Sequence, residues 1–191
     1  MKPITKGTNV YLRSVSDEDF LFIYDIFTDF EEVYLWNNSR NDYTIEGFAN
    51  DFKRKLNEVY RHFYIISDNK TFRKIGFIFC YNTHTEDGYA YTGTYLISEY
   101  RNLLFAAEAG LLYYTHLFKY HNFRKLYSEV YTYNRDSKQF LSSAGFQVEG
   151  TLKQHRYYKN EYTDLEIYAV YRDDFFARFD FLISHFLDDG E

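Results

Sequence analysis

The chain has 191 residues, 46% hydrophobic and 26% charged, which is enough apolar content for one domain with a substantial core. Its formal charge of -6 argues against a nucleic-acid binder, which needs a basic face, and suits cationic partners better. The single cysteine, Cys80, excludes an internal disulfide; no apolar run reaches the roughly 18 residues of a membrane span; and no signal-peptide pattern opens the sequence. A soluble, cytoplasmic protein is therefore expected. The 22 Tyr and 20 Phe read as core filler and by themselves point to no function.

Val10–Val15 alternates like a strand, and Ser16 or Asp17 offers an N-cap to a helix over Asp17–Phe27. A second helix is predicted over Thr44–Tyr60. His62–Asp68 and Lys74–Asn82 read as a hairpin closed by the turn 69–72, and Tyr89–Ile97 as the next strand. Ala106–Lys119 is helical, Lys125–Thr132 a strand and Ser137–Ala144 a short helix. Phe146–Tyr158 and Thr163–Tyr171 are two strands joined at 159–162. The tail 173–187 carries Phe175, Phe179, Leu182 and Phe186 at helical spacing, a stripe that its own sheet or a second copy must cover. A homodimer is expected on that ground. Nothing in the composition invites a domain cut, so residues 1–191 are read as one α+β domain with a single late crossover helix.

The stretch "SEYRNLLFAAEA" runs from a strand into a helix, where free first-turn amides and the helix dipole can hold a phosphate. It has no glycine between Asn102 and Ala109. Asn102 tolerates the left-handed region, whereas Leu104 has to keep a negative φ or point away from the anion. Taken alone, the stretch reads sooner as the start of a helix whose leucines pack inward. Asn134, after a strand, is either a helix cap or a ligand contact, and Ser137 either a cap or a free hydroxyl.

"NRDS" (134–137), "AGF" (144–146), "EGTL" (149–152) and "YYKNEYTDLEIYAV" (157–170) follow in an order that resembles the ribosomal-protein-alanine and spermidine branch of the GNAT acetyltransferases. The opening "LRSVSDEDFLFIYDIFTDFEE" is similar as well, so the resemblance spans about residues 8–176. It implies a GNAT fold: a twisted, mixed, mostly antiparallel sheet of six or seven strands with helices on both faces. It also implies acetyl-CoA as cofactor and transfer of an acetyl group to a primary amine, in a protein N-terminus, a polyamine or another small amine. Arg101 matches the first position of the family's pyrophosphate loop, Leu104 its first glycine and Ala106 its last position. The implied cofactor-binding residues are Leu96, Ile97, Arg101, Asn102, Leu103, Leu104, Phe105, Ala106, Asn134 and Ser137, with Gly93 marking a bulge that frees the Leu96 and Ile97 amides.

Ser137 is the implied proton donor to the departing thiolate, since the tyrosine many relatives carry one turn later is Leu141 here. The family's usual glutamate base falls at Tyr91, an aromatic hydroxyl with an ordinary pKa near 10. Glu31 and Glu32 can replace it or bind a cationic acceptor, and His84 and His155 are further candidate proton acceptors. The histidines lack metal-ligand spacing, so no metal is expected. The lost glycine and lost glutamate leave one rival reading, a catalytically silent module that binds acyl-CoA or a protein partner.

Overall fold

The computed structural model describes residues 3–29, 32–35, 44–101 and 103–187, with backbone alone at Leu103 and at 185–187. One sheet is formed by β1 (Thr5–Lys6), β2 (Val10–Ser14), β3 (Arg61–Asp68), β4 (Lys74–His84), β5 (Tyr89–Leu96), β6 (Lys125–Tyr131), β7 (Gln147–Tyr158) and β8 (Glu161–Tyr171), in the spatial order β1-β2-β3-β4-β5-β6-β8-β7. Every neighbouring pair is antiparallel except β5 with β6. Parallel neighbours cannot be joined by a tight turn, and α3 (Leu103–Tyr120) is the crossover between them. The sheet has one strand more than the upper number expected from the sequence. The addition is β1, whose two residues show no alternation and are recognisable only from their pairing with Tyr11 and Leu12.

Helices α1 (Phe20–Thr28) and α2 (Ile45–Glu58) cover one face of the sheet. Helices α3, α4 (Arg135–Ser143) and α5 (Arg172–Leu187) cover the other. Coverage on both sides explains why Phe63–Asp68 of β3 is buried without a break. The phenylalanines concentrate under α1 and α2, where Phe20, Phe48, Phe52, Phe63, Phe77 and Phe79 are buried together. Phe52 meets Phe63 edge-on at 5.2 Å and 87°, a favoured aromatic geometry, and full burial of such a side chain contributes about 1.5–3 kcal/mol. On the α3 side the core is more aliphatic, with Leu12, Ile66, Ile78, Leu112 and Leu117.

The start of α1 is fixed by Asp19, which is fully buried. Its carboxylate accepts two hydrogen bonds of 2.7 Å from Arg13 and one of 2.8 Å from the Ser16 N–H, and lies 3.2 Å from the Lys74 ammonium. Burial alone would raise its pKa; Arg13 and Ser16 overcome that and hold it well below the usual carboxylate range. The β7–β8 hairpin turns at Lys159 and Asn160, both at positive φ (48° and 68°), as a two-residue turn of that hand requires. In the tail, Phe175 and Ile183 are buried and Phe179 packs against the core, while Phe181 and Leu182 face solvent. The helix therefore covers Phe175 and Phe179 of its stripe within its own chain and leaves Leu182 exposed; the Phe186 side chain lies outside the described residues.

Candidate active site

β5 and β6 are paired over three residues only, Tyr89 with Lys125, Ala90 with Leu126 and Tyr91 with Tyr127. Beyond that rung both strands continue, to Leu96 and Tyr131, without facing each other, so the sheet opens into a fork. On its other edge β5 stays in register with β4 from Tyr91 opposite Tyr81 to Leu96 opposite Gly76. The fork is therefore a departure of β6, and no bulge occurs at Gly93. A Cβ on Gly93 would stand 2.7 Å from the Phe79 ring, so this glycine is needed for the ring to cross the strand.

The phase of the β4–β5 ladder decides which amides face the gap. Ile97 N–H donates to the Ile75 carbonyl at 2.9 Å and is not available to a ligand. Antiparallel alternation then turns the N–H groups of Leu96 and Thr94 toward the gap. Leu96 has the orientation the sequence reading wanted; Ile97 does not, and Thr94 takes its place.

After a short turn at Ser98–Tyr100, α3 begins at Leu103, next to the open end of the fork. Its first-turn amides have no partners within the helix, and eighteen aligned residues put positive potential at that end. Leu104 is 55% exposed and keeps a negative φ, so the backbone there does not require glycine. Phe105 turns inward and lies edge-on to Tyr100 at 5.0 Å, and Ala106 is half-buried. Asn102 lies outside the described residues. These residues fit a pyrophosphate held by backbone.

Arg101 does not reach forward to that site. Its Nε donates to the Leu96 carbonyl at 2.7 Å, its guanidinium pairs with Glu32, and the group lies 5.1 Å from the Tyr95 ring centre. Burial opposes its charge, but Glu32 outweighs that and raises its pKa. Beside this pair is an open recess of about 300 Å³ whose lining includes Phe22, Asp25, Asp29, Glu32, Tyr95 and Ser98. It lies on the α1 face, opposite the helix that starts the phosphate site. Glu31 falls outside the described residues.

Residues Val33–Leu35 bridge to the β6 side of the fork. The Tyr133 hydroxyl donates to the Tyr34 carbonyl at 2.6 Å, and Tyr158 stacks on both Tyr34 (4.9 Å) and Tyr133 (4.2 Å). Asn134 caps α4, its Oδ1 accepting from Ser137 N–H at 3.2 Å, and its Nδ2 donates to the Leu35 carbonyl at 3.4 Å. The amide is thus engaged at both ends, which makes it a support for the fork's rim. Ser137 sits half-buried in the first turn of α4, where its hydroxyl has no hydrogen bond among the described residues. Leu141, one turn on, is buried in the core.

Tyr91 stacks on Tyr127 at 4.9 Å, at the last rung of the ladder. Burial and then the charge of Glu129 raise its pKa, so it holds its proton at neutral pH. Glu129 was missed by the sequence reading. It lies two residues past the last rung, exposed, on the same face as Tyr127, and accepts the Tyr81 hydroxyl at 2.9 Å. The available signal was a lone carboxylate in the otherwise uncharged segment 126–131. His84 stacks on Tyr89 at the closed end of the fork, and His155 is exposed in the β7 bulge, so neither reaches the gap.

A mixed sheet forked beside a helix N-terminus, with amides lining one side of the gap and the Glu129 carboxylate on the other, defines an acyl-CoA-dependent transferase. Residues 9–147 match the family model described as Acetyltransferase (GNAT) domain, and the chain belongs to that family. It is an acetyltransferase, and the cofactor of its family is acetyl-CoA. Similar solved structures include a spermidine N-acetyltransferase from Vibrio cholerae in complex with CoA and spermine, at TM-score 0.79 and 16% identity over 87% of this chain and 97% of that one. A ribosomal-protein-S5-alanine acetyltransferase from Vibrio fischeri gives TM-score 0.72 and 20% identity over 90% and 97%. A GNAT-family acetyltransferase from Bacillus anthracis gives 0.73 and 17% over 88% and 98%. No curated protein matches the sequence.

Proposed function

We propose that this chain moves an acetyl group from acetyl-CoA to a cationic primary amine, in a polyamine, a protein N-terminus or another small amine. The observation that carries the proposal is the recess where Asp25, Asp29 and Glu32 stand with Phe22 and Tyr95 on the face opposite the phosphate site. Carboxylates attract an ammonium by charge and ring faces by their quadrupole. The similar fold of a spermidine acetyltransferase bound to spermine supports a polyamine within this class.

Bound acetyl-CoA supplies the acetyl group as a thioester open to attack by the amine. The first-turn amides of α3, at Leu103, Leu104, Phe105 and Ala106, hold its phosphates, with Arg101 bracing the loop from behind. The N–H groups of Thr94 and Leu96 offer donors to the pantetheine arm and the acyl oxygen. Glu129 is the proposed acceptor of the ammonium proton, in place of Tyr91, which walls the site with its ring. Ser137 is the proposed donor to the departing sulfur, positioned by the Asn134 cap. Glu32 takes the acceptor-binding role first shared with Glu31.

The whole chain is proposed to act as one domain in the cytoplasm, a reading that rests on its single, buried cysteine. A homodimer is retained as the proposed assembly, supported only by the exposed Phe181 and Leu182 on the outer face of α5. Solution scattering that returns a monomer rejects it. The activity itself is tested by following acetyl-CoA consumption against a panel of polyamines, N-terminal peptides, amino sugars and aminoglycoside-like amines. Turnover with a cationic class and none with neutral amines supports the proposal. If acetyl-CoA binds but no amine is acetylated, the silent module replaces it.

A further inference from the structure

The fork is made by side chains as well as by strand direction. One residue past the last rung, Thr92 and Ser128 face the α3 side and are 4% and 7% exposed. Thr92 Oγ1 donates to the Tyr127 carbonyl at 3.0 Å and lies 2.9 Å from Ser128 Oγ, which is 3.4 Å from the Thr92 carbonyl. The Thr92 carbonyl, which a β6 N–H would otherwise bond, meets the Ser128 hydroxyl instead, and the pairing ends there. Behind them stands Tyr114 of α3, 2% exposed and buried in the same core. Its ring is held by Phe146 at 5.4 Å and Phe175 at 6.1 Å.

The polarity of the cleft follows from chain order. The N-terminus of α3 lies past the C-terminal end of β5, at the open mouth. A ligand with its phosphates there and its arm along the Leu96 and Thr94 amides points its far end at the vertex. We propose that the cluster of Thr92, Ser128 and Tyr114 is the floor on which the acyl group of the cofactor ends, and that it restricts the transferable group to acetyl. This rests on the acetyl-CoA reading above. The floor is stiff because the Thr92 and Ser128 hydroxyls satisfy each other in a buried setting, so a longer acyl chain must displace a paired polar couple. One extra methylene in such a pocket is discriminated by about 10- to 200-fold.

The test compares acetyl-, propionyl- and butyryl-CoA on the wild type and on Ser128→Ala, Thr92→Ala and Ser128→Thr. Two readouts are taken: Kd by calorimetry without amine, and kcat/KM with an accepted amine. Both alanine variants deepen the floor and are expected to raise the propionyl-to-acetyl ratio about tenfold or more in each readout, whereas Ser128→Thr fills it and lowers the ratio. Ser128→Ala removes one atom and leaves the Thr92–Tyr127 bond in place, so it decides the matter even if Thr92→Ala does not fold. Wild-type ratios in a folded Ser128→Ala, verified by circular dichroism, overturn the floor and leave the cofactor reading standing. A wild type that binds no acyl-CoA overturns both.

Discussion

Glu129→Gln asks whether this carboxylate is the proton acceptor. Glutamine keeps the shape and still offers an oxygen to the Tyr81 hydroxyl, now 2.9 Å away, and the position is exposed, so the fold is expected to survive. What disappears is the capacity to take a proton, a contribution of about 10²- to 10⁴-fold. At about 1.36 kcal/mol per tenfold, that is about 2.7–5.4 kcal/mol in the barrier. Tyr91 cannot stand in, because burial, the larger cause of its raised pKa, remains in the variant. Steady-state kinetics with an accepted amine should show kcat reduced at neutral pH by at least about 100-fold, with KM for acetyl-CoA unchanged. The defect should shrink toward about pH 10, where the amine arrives already deprotonated. Tyr81→Phe removes the donor that holds the carboxylate and should lose about 0.5–1.5 kcal/mol, a factor of about 2–13 in kcat. A Glu129→Gln enzyme with wild-type kcat refutes the assignment, and loss of turnover in Glu32→Gln instead would move the base to the recess.

Asp25→Asn and Glu32→Gln should each raise KM for a dicationic amine by about two- to fivefold, as expected for partly exposed charges, with the effect fading at high salt; an unchanged KM would remove the recess from the acceptor path. Leu104→Gly should leave the acetyl-CoA Kd within about threefold, or under about 0.7 kcal/mol, since this position does not need a positive φ. The same change should cost about 1 kcal/mol of helix stability in a denaturant titration, and a marked gain in affinity would show instead that the Leu104 side chain crowds the phosphate. Asp19→Asn leaves Arg13 and Lys74 without their buried partner and should destabilise the protein by about 3–5 kcal/mol, measured by urea unfolding. Because the folded pKa of Asp19 lies below its unfolded value of about 3.9, its contribution is complete above that pH and lost as the pH falls further. Wild-type melting temperatures should therefore drop between about pH 4 and 2 more steeply than those of Asp19→Asn, and parallel curves would contradict this linkage.

Much of the architecture is legible from local pattern. The alternation in Val10–Val15, the apolar run of β3, the Thr44 cap of α2 and the spacing of α3 each report which side of an element is buried, and burial repeats with the element's own period. The strand into the phosphate turn and the helix after it are readable for the same reason. What a single stretch cannot carry is register. Whether Ile97 or Thr94 presents its N–H to the gap depends on the phase of β5 against β4, and swapping that phase leaves the sequence of β5 unchanged. Glu129 becomes a candidate base only because β6 leaves β5 two residues earlier, and the pairing of Arg101 with Glu32 joins groups 69 residues apart. Asn134 is a cap rather than a free ligand amide because α4 starts one residue later and Leu35 lies across the gap. The sequence by itself thus determined the elements other than β1, the crossover and the phosphate turn, which follow from periodicity and turn chemistry; β1, the fork, its floor and the side of each functional group were decided by tertiary structure, because hydrogen-bond register and charge pairing are properties of two segments at once.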